Sequence, residues 1–245
     1  MMQIIDSHVH LGGPDRGDGA SLSPEELIQR MDAAGVDRAV VFPFNEPGPD
    51  GSFSRANDFI ASAVESYPER IIGFARLDPN RGEAALLELD RAIGGMELKG
   101  IKLHPKGQGF TPSNEHVLKI VERAAKFGVP VVFDNGKEVF DNHAIGRLAE
   151  KAPEARIIMA HMRGEGFIEV AAGHENLFLG TVKADVGDVR RAVEALGPER
   201  IIAGSDTPYA DMAWEMRGKF REIEGLKEGE LDMIRRGNIL RLIRG

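Results

Sequence analysis

Gln3-Ile4-Ile5-Asp6-Ser7-His8-Val9-His10-Leu11 reads as a strand, an apolar run carrying an acid and two histidines at every second position. Side chains alternate across a strand, so Asp6, His8 and His10 are expected on one face. At roughly 3.3 Å per residue the two histidines stand about 7 Å apart along the backbone. Their rings can then converge on one divalent cation at about 2.1 Å each. Two histidines hydrogen-bonded within an ordinary strand would give the same pattern. The Gly12-Gly13 loop that follows favours the ligand reading, because polar connections after strands are where sites are built.

Working outward, Ser21-Leu22-Ser23-Pro24-Glu25-Glu26 has the chemistry of a helix start, with a Ser cap, Pro in the first turn and early acids, and Gly35 ends that helix. Asp37-Arg38-Ala39-Val40-Val41-Phe42 is a short β-branched run bounded by turn residues, as in a strand buried on both faces. The unit then repeats. Strands are expected at 71–75, 100–104, 129–134, 156–161, 177–181 and 200–206, with helices at about 54–67, 82–93, 114–127, 142–151, 166–172 and 186–196, and two closing helices. Strict alternation implies parallel strands with right-handed crossovers. Eight such units predict an α/β fold of one domain over 1–245, a closed (β/α)8 TIM barrel. An open doubly wound sheet would carry Gly-x-Gly-x-x-Gly after its first strand, and that motif is absent there.

Composition narrows the function. With 245 residues and 42% hydrophobic content the chain can form one large core, and its net charge of -8 without a basic run argues against nucleic-acid binding. The absence of cysteine excludes disulfides, thiolate metal sites and thiol nucleophiles. No apolar run approaches the roughly 18 residues of a membrane span, and no signal-like segment precedes the first strand. The expectation is a cytoplasmic protein with a small-molecule partner, a homo-oligomer being compatible with it.

In such barrels the active site lies at the carboxyl ends of the strands. His8 and His10 close strand one, Arg76 follows strand three, Lys102 and His104 close strand four, Asp134 strand five, His161 strand six and Asp206 strand eight. His116, His143 and His174 fall in or beside helices and read as surface residues. Each strand-end position also has a structural reading. Asp134-Asn135-Gly136 suits an Asx turn, His161 a buried histidine bonded to backbone, and Gly204-Ser205-Asp206-Thr207-Pro208 a capped turn. One pocket explains all the placements together.

Asp6-Ser7-His8-Val9-His10, Gly100-Ile101-Lys102-Leu103-His104-Pro105, Ala160-His161 and Gly204-Ser205-Asp206-Thr207-Pro208 resemble, in order, motifs of the metal-dependent amidohydrolase superfamily. The most similar branch is the one containing aminocarboxymuconate-semialdehyde decarboxylase and pyrone-dicarboxylate lactonase, and Asn238-Ile239-Leu240-Arg241-Leu242 is similar to its last helix. The resemblance implies one divalent metal on His8, His10 and Asp206, with His161 polarising substrate or relaying a proton. It departs at strand five, where that branch commonly has a histidine and this chain has Asp134. Strand parity turns Asp134 inward with Val132 and Asn135 outward. Asp134 is therefore expected as a fourth ligand, or else as the partner of Lys102. Zinc is the first expectation for the metal, with manganese or iron favoured by a second carboxylate.

With no thiol and no serine-nucleophile motif, metal-activated water is the expected reagent. The reading is a hydrolase of an amide, ester or lactone, with Asp206 as general base and His161 steadying the oxyanion or leaving group. Lys102, His104, Arg163 and Arg76 are the candidates to bind a substrate carboxylate. A nonoxidative decarboxylase and a metal-free binding protein are the alternatives on the same scaffold.

Overall fold

The computed structural model describes residues 3–136 and 141–244. Its strands and helices alternate as β1 (Ile5–Leu11), α1 (Pro24–Ala34), β2 (Arg38–Pro43), α2 (Ser54–Ser66), β3 in two halves (Ile71–Gly73 and Ala75–Arg76), α3 (Glu83–Leu89), β4 (Ile101–Leu103), α4 (Pro105–Gln108) and α5 (Glu115–Lys126). They continue as β5 (Val131–Phe133), α6 (Asn142–Lys151), β6 (Ile157–Met159), α7 (Phe167–Ala172), β7 (Leu177–Gly180), α8 (Val186–Leu196) and β8 (Ile201–Ile202). Three further helices follow, α9 (Lys219–Arg221), α10 (Glu228–Asp232) and α11 (Asn238–Arg244). The strands pair in parallel with their neighbours in two ladders, one from β1 to the first half of β3 and one from the second half of β3 to β8, which part at Phe74.

The ring closes between β8 and β1. Ser7 N donates to Ala203 O at 3.0 Å, Asp206 N to His8 O at 2.9 Å and His10 N to Thr207 O at 2.9 Å. Gly204 makes this seam sterically possible, since a Cβ there would lie 2.8 Å from His8 Cβ and 3.0 Å from Ser7 Oγ. The alternation thus gives the expected single-domain (β/α)8 barrel. The sequence signals act locally as read: Ser23 accepts from Glu26 N at 3.2 Å, Glu26 returns a bond to Ser23 N at 3.1 Å, and Gly35 ends α1 at φ 64°. Such a cap is worth about 1 kcal/mol.

Two apolar layers hold the barrel. Inside, Ile5, Val40, Ile72, Val132, Ile158, Phe178 and Ile202 meet Ile239 and Leu242 of α11, which plugs the amino end. Outside, alternate residues such as Val41, Ile101, Leu103, Val131 and Leu179 pack beneath the helices. In β4 this parity sends Ile101 and Leu103 outward and Lys102 into the interior. The strand is shorter than expected: His104 is not its last residue but the cap of α4, its Nδ1 accepting from Gly107 N at 3.0 Å. Pro105, which suits the first turn of a helix and cannot donate to a sheet, is the cause.

Candidate active site

The carboxyl ends of the strands converge on a mouth of about 570 Å³ lined by His10, Arg76, His104, Asp134, His161, Arg163, Lys183, Asp206 and Tyr209, among others. His8 lies just beneath, 1% exposed. All the residues expected from strand-end position are therefore brought together.

β1 carries a register irregularity between Asp6 and Val9, and it separates the acid from the histidines. Asp6 does not join them as expected from simple parity. Its Oδ1 accepts from His8 N at 3.0 Å and from Ser205 N at 2.9 Å, tying β1 to the loop after β8 on which Asp206 sits. The rings of His8 and His10 meet edge to face at 5.7 Å, each also against Phe42, at 4.7 and 4.9 Å. Asp206 Oδ1 lies 3.5 Å from His8 Nε2 and 3.2 Å from His10 Nε2. Asp206 adopts φ 74°, a left-handed conformation that costs about 1–2 kcal/mol for a residue with a Cβ and that short polar side chains tolerate best.

Electrostatics leave this trio in the protonation states a cation needs. Burial pushes His8 and His10 down, reinforced at His8 by the neighbouring Lys102, so both rings are neutral. Burial also pushes Asp206 up, but the hydrogen bond from the His10 ring outweighs it and holds the carboxyl below its ordinary range. The three side chains offer ligand atoms within 4.8 Å of one another. Four tetrahedral ligands at about 2.1 Å are separated by about 3.4 Å, so the two contacts to Asp206 already have the spacing of a metal site. Two neutral imidazoles and one ionised carboxylate fit a divalent ion.

A second group lies alongside. Lys102, fully buried, places Nζ 3.1 Å from Asp134 Oδ2, 3.1 Å from His8 Nε2 and 4.7 Å from the centroid of Phe42. Asp134 Oδ1 accepts from Gly136 N at 3.1 Å and stands 3.5 Å from His161 Nε2. Burial opposes its charge, but the Lys102 ammonium and the neighbouring His161 hold the carboxyl well below the ordinary value. His161 is oriented by Nδ1 against Val182 O at 3.0 Å, which leaves Nε2 facing the mouth. Gly136 permits the approach, since a Cβ there would fall 2.5 Å from His161 Cδ2. Asn135 turns away as expected, bonding His161 N and O at 2.8 and 2.9 Å. His8, Asp134 and His161 also fall within ligand distance of one another. Burial lowers His104 to about 4, so it is a neutral rim residue. Arg163 is tethered by Nη1 to Gly136 O at 3.2 Å.

Lys183 was missed from the sequence, although it follows the seventh strand as the others follow theirs. Its Nζ is 3.5 Å from Asp206 Oδ2, and its backbone is left-handed at φ 51°. The buried Glu215 holds that turn, Oε2 accepting from Lys183 N at 3.0 Å and from Lys219 Nζ at 2.5 Å. Tyr209, 5.4 Å from the His10 ring, and Asp18, which accepts from its hydroxyl at 3.3 Å, come from loops with no periodic signal.

Asp6 gives a pH test of the frame beneath the site. Burial raises its pKa from 3.8 to about 7 against its hydrogen bonds, and Oδ2 has no partner among the described residues. An acid raised on folding contributes stability that is present below its unfolded pKa and lost as pH rises through the folded one. In urea melts of metal-free protein, wild type should lose up to about 4 kcal/mol relative to Asp6→Asn between about pH 4 and pH 8. A pH-independent difference would refute the assignment.

No protein of curated function matches the chain. Among solved structures it is similar to 5-carboxyvanillate decarboxylase from Sphingomonas paucimobilis, with 18% identity and a TM-score of 0.83, over 100% of this chain and 99% of that one. It is also similar to 2,6-dihydroxybenzoate decarboxylase from Rhizobium (17%, 0.80, 100% and 99%). A third is the dihydroxybenzoic acid decarboxylase from Polaromonas sp. JS666 with bound manganese and 2-nitroresorcinol (18%, 0.78, 100% and 97%). These likenesses show a shared barrel, and a family model described as amidohydrolase matches residues 5–245. The chain with the His-x-His strand, the strand-eight aspartate and the closed barrel therefore belongs to the amidohydrolase family.

Proposed function

We propose that the protein is a metal-dependent enzyme that removes a carboxyl group without oxidation from a small carboxylated aromatic. The observation that carries this reading is an ionised Asp206 set in one mouth with the cations of Arg76, Arg163 and Lys183. Such a wall attracts a carboxylated substrate and leaves one carboxylate to manage a proton. The activities named for the similar structures support decarboxylation over the hydrolysis expected from sequence.

His8, His10 and Asp206 would hold the metal. Asp134 is assigned to Lys102 and His161 instead, because both its oxygens already have partners. When bound, the metal supplies a Lewis acid that polarises the substrate oxygens. Manganese suits the carboxylate-containing set as well as zinc does. Asp206, ionised at rest, would take up one proton from solvent at the mouth and deliver it to the ring carbon as the bond to the carboxyl carbon breaks, returning to its ionised form. That bonding pair becomes the new C–H bond and carbon dioxide leaves. An acid whose pKa is depressed is strong once protonated, which favours transfer to carbon. Lys183 and His161 steady charge on either side of the reacting group.

The test is to load purified protein with manganese or zinc and screen hydroxylated benzoates for carbon dioxide release, and esters and lactones for acid release. Carbon dioxide from a carboxylated aromatic supports the reading, and acid release alone returns it to a hydrolase. His8→Ala and His10→Ala should each weaken metal binding at least 10- to 100-fold with an unchanged far-UV spectrum. Unaltered metal content in either variant would refute the ligand set.

A further inference from the structure

Behind the mouth lies a buried ion pair that the mechanism does not use. Glu215, in the helical segment Trp214–Gly218, and Lys219, the first residue of α9, stand one turn apart and are only 5% and 1% exposed. Glu215 Oε2 accepts from Lys219 Nζ at 2.5 Å. Burial works against both charges, pushing the acid up and the amine down. Apolar side chains of similar size often serve stability as well as a buried pair does, so its reason lies elsewhere. The remaining bonds supply one. Lys219 Nζ donates to Thr181 O at 2.7 Å, and Glu215 Oε2 accepts from Lys183 N at 3.0 Å.

Both bonds end on the turn that follows β7, which Ala184 N closes by donating to Thr181 O at 3.1 Å. Lys183 stands in that turn at φ 51°, a left-handed conformation that is strained for a residue with a Cβ and needs outside support. Two successive residues of the turn act on the site. Val182 O accepts from His161 Nδ1 at 3.0 Å. An imidazole nitrogen bonds a carbonyl only as a donor, so this contact keeps a hydrogen on Nδ1 and aims Nε2 at the mouth. Lys183 Nζ stands 3.5 Å from Asp206 Oδ2, while the other oxygen of that carboxylate faces His8 and His10. Asn135 holds the main chain of His161, and the Val182 carbonyl holds its ring. Any shift of the turn therefore moves the ring and the ammonium together.

We propose that Glu215 and Lys219 are positioning residues: tied to the turn after β7 at Thr181 O and Lys183 N, they set the ring of His161 and the ammonium of Lys183 in the site. Neither lines the mouth, so both act through the turn. A dry brace suits this task, because a hydrogen bond shielded from water is stronger than the same bond on a wet rim. The orientation of the two groups is independent of the reaction. Its effect on turnover rests on the decarboxylase reading, in which His161 and Lys183 steady the charge that develops as the carboxyl group leaves.

The experiment compares wild type with the double variant Glu215→Leu and Lys219→Met, which removes both charges at similar volume. Nitrogen NMR of histidine-labelled, metal-free protein reads the His161 ring, assigned by its loss in His161→Gln. Wild type should show a protected hydrogen on Nδ1, and a ring with its hydrogen on Nε2 alone overturns the proposal at once. In the double variant exchange of that hydrogen with water should quicken about tenfold or more, the protection of one ordinary hydrogen bond. The urea midpoint should stay near that of wild type. With whichever substrate releases carbon dioxide, kcat should fall about 100-fold, as for a misplacement of about 1 Å, and KM should hold within a few-fold. Should the double variant not fold, Glu215→Gln, which keeps the shape but not the charge facing Lys219, takes its place, with both readouts expected to move the same way. An unchanged ring signal, with or without a lowered midpoint, marks the pair as structural and overturns the proposal. So does a quickened signal with kcat unchanged. A quickened signal in a protein that releases carbon dioxide from no substrate supports the brace and sinks the decarboxylase reading instead.

Discussion

Asp206→Asn should lower turnover by a factor on the order of 100 to 10,000, the contribution of a positioned acid-base group, while the barrel stays intact. Asparagine keeps the shape of the side chain and is among the few residues that accept φ 74° without a large penalty. The backbone bond from residue 206 to His8 O at 2.9 Å, which helps close the ring, is also retained. What disappears is the ability to carry a proton and the negative charge facing His8 and His10. Metal affinity should therefore fall as well, and turnover must be compared at saturating metal. Activity within a few-fold of wild type under those conditions would move the proton to another group, His161 being next in line.

Lys102→Met should destabilise the metal-free protein by about 3–5 kcal/mol, the cost of leaving a buried charge without its partner. The aliphatic volume is kept and only the ammonium is removed, so Asp134, buried and ionised, loses its contact at 3.1 Å. Lys102→Met combined with Asp134→Asn should recover a large part of that loss, because no uncompensated carboxylate remains. Urea midpoints for wild type, both single variants and the double variant measure the coupling. The single variant should also bind a divalent ion more tightly, since an ammonium 3.1 Å from His8 Nε2 competes for that lone pair. A loss below about 1 kcal/mol, in the range of a solvent-exposed pair, would mean that Asp134 is not charged in the folded protein.

The barrel was legible along the chain because each signal that builds it is local. Ser23-Pro24 and Gly35 start and stop a helix through bonds within a few residues, and the β-branched runs bury themselves wherever they pair. The strand-end rule then placed His10, Arg76, Asp134, His161 and Asp206 at one mouth, with His8 and Lys102 buried beneath it. The same rule also reaches Lys183. It was overlooked because Gly180-Thr181 ends the seventh strand without a charge.

What the chain could not specify locally was the pairing of charges across it. Whether Asp134 serves a metal or Lys102 depends on atoms 32 residues apart meeting at 3.1 Å. The turn that holds Lys183 over Asp206 depends on Glu215, which is in a different helical segment. The irregularity in β1 depends on closure with the loop after β8, and it turns Asp6 from a site residue into a brace for His8 and Ser205. The sequence by itself determined the fold and the membership of the mouth, since hydrophobic period, caps and strand parity act over a few residues. Only the tertiary structure decided which carboxylate faces which cation. Those outcomes turn on hydrogen-bond distances and desolvation, which exist only once the ring has closed.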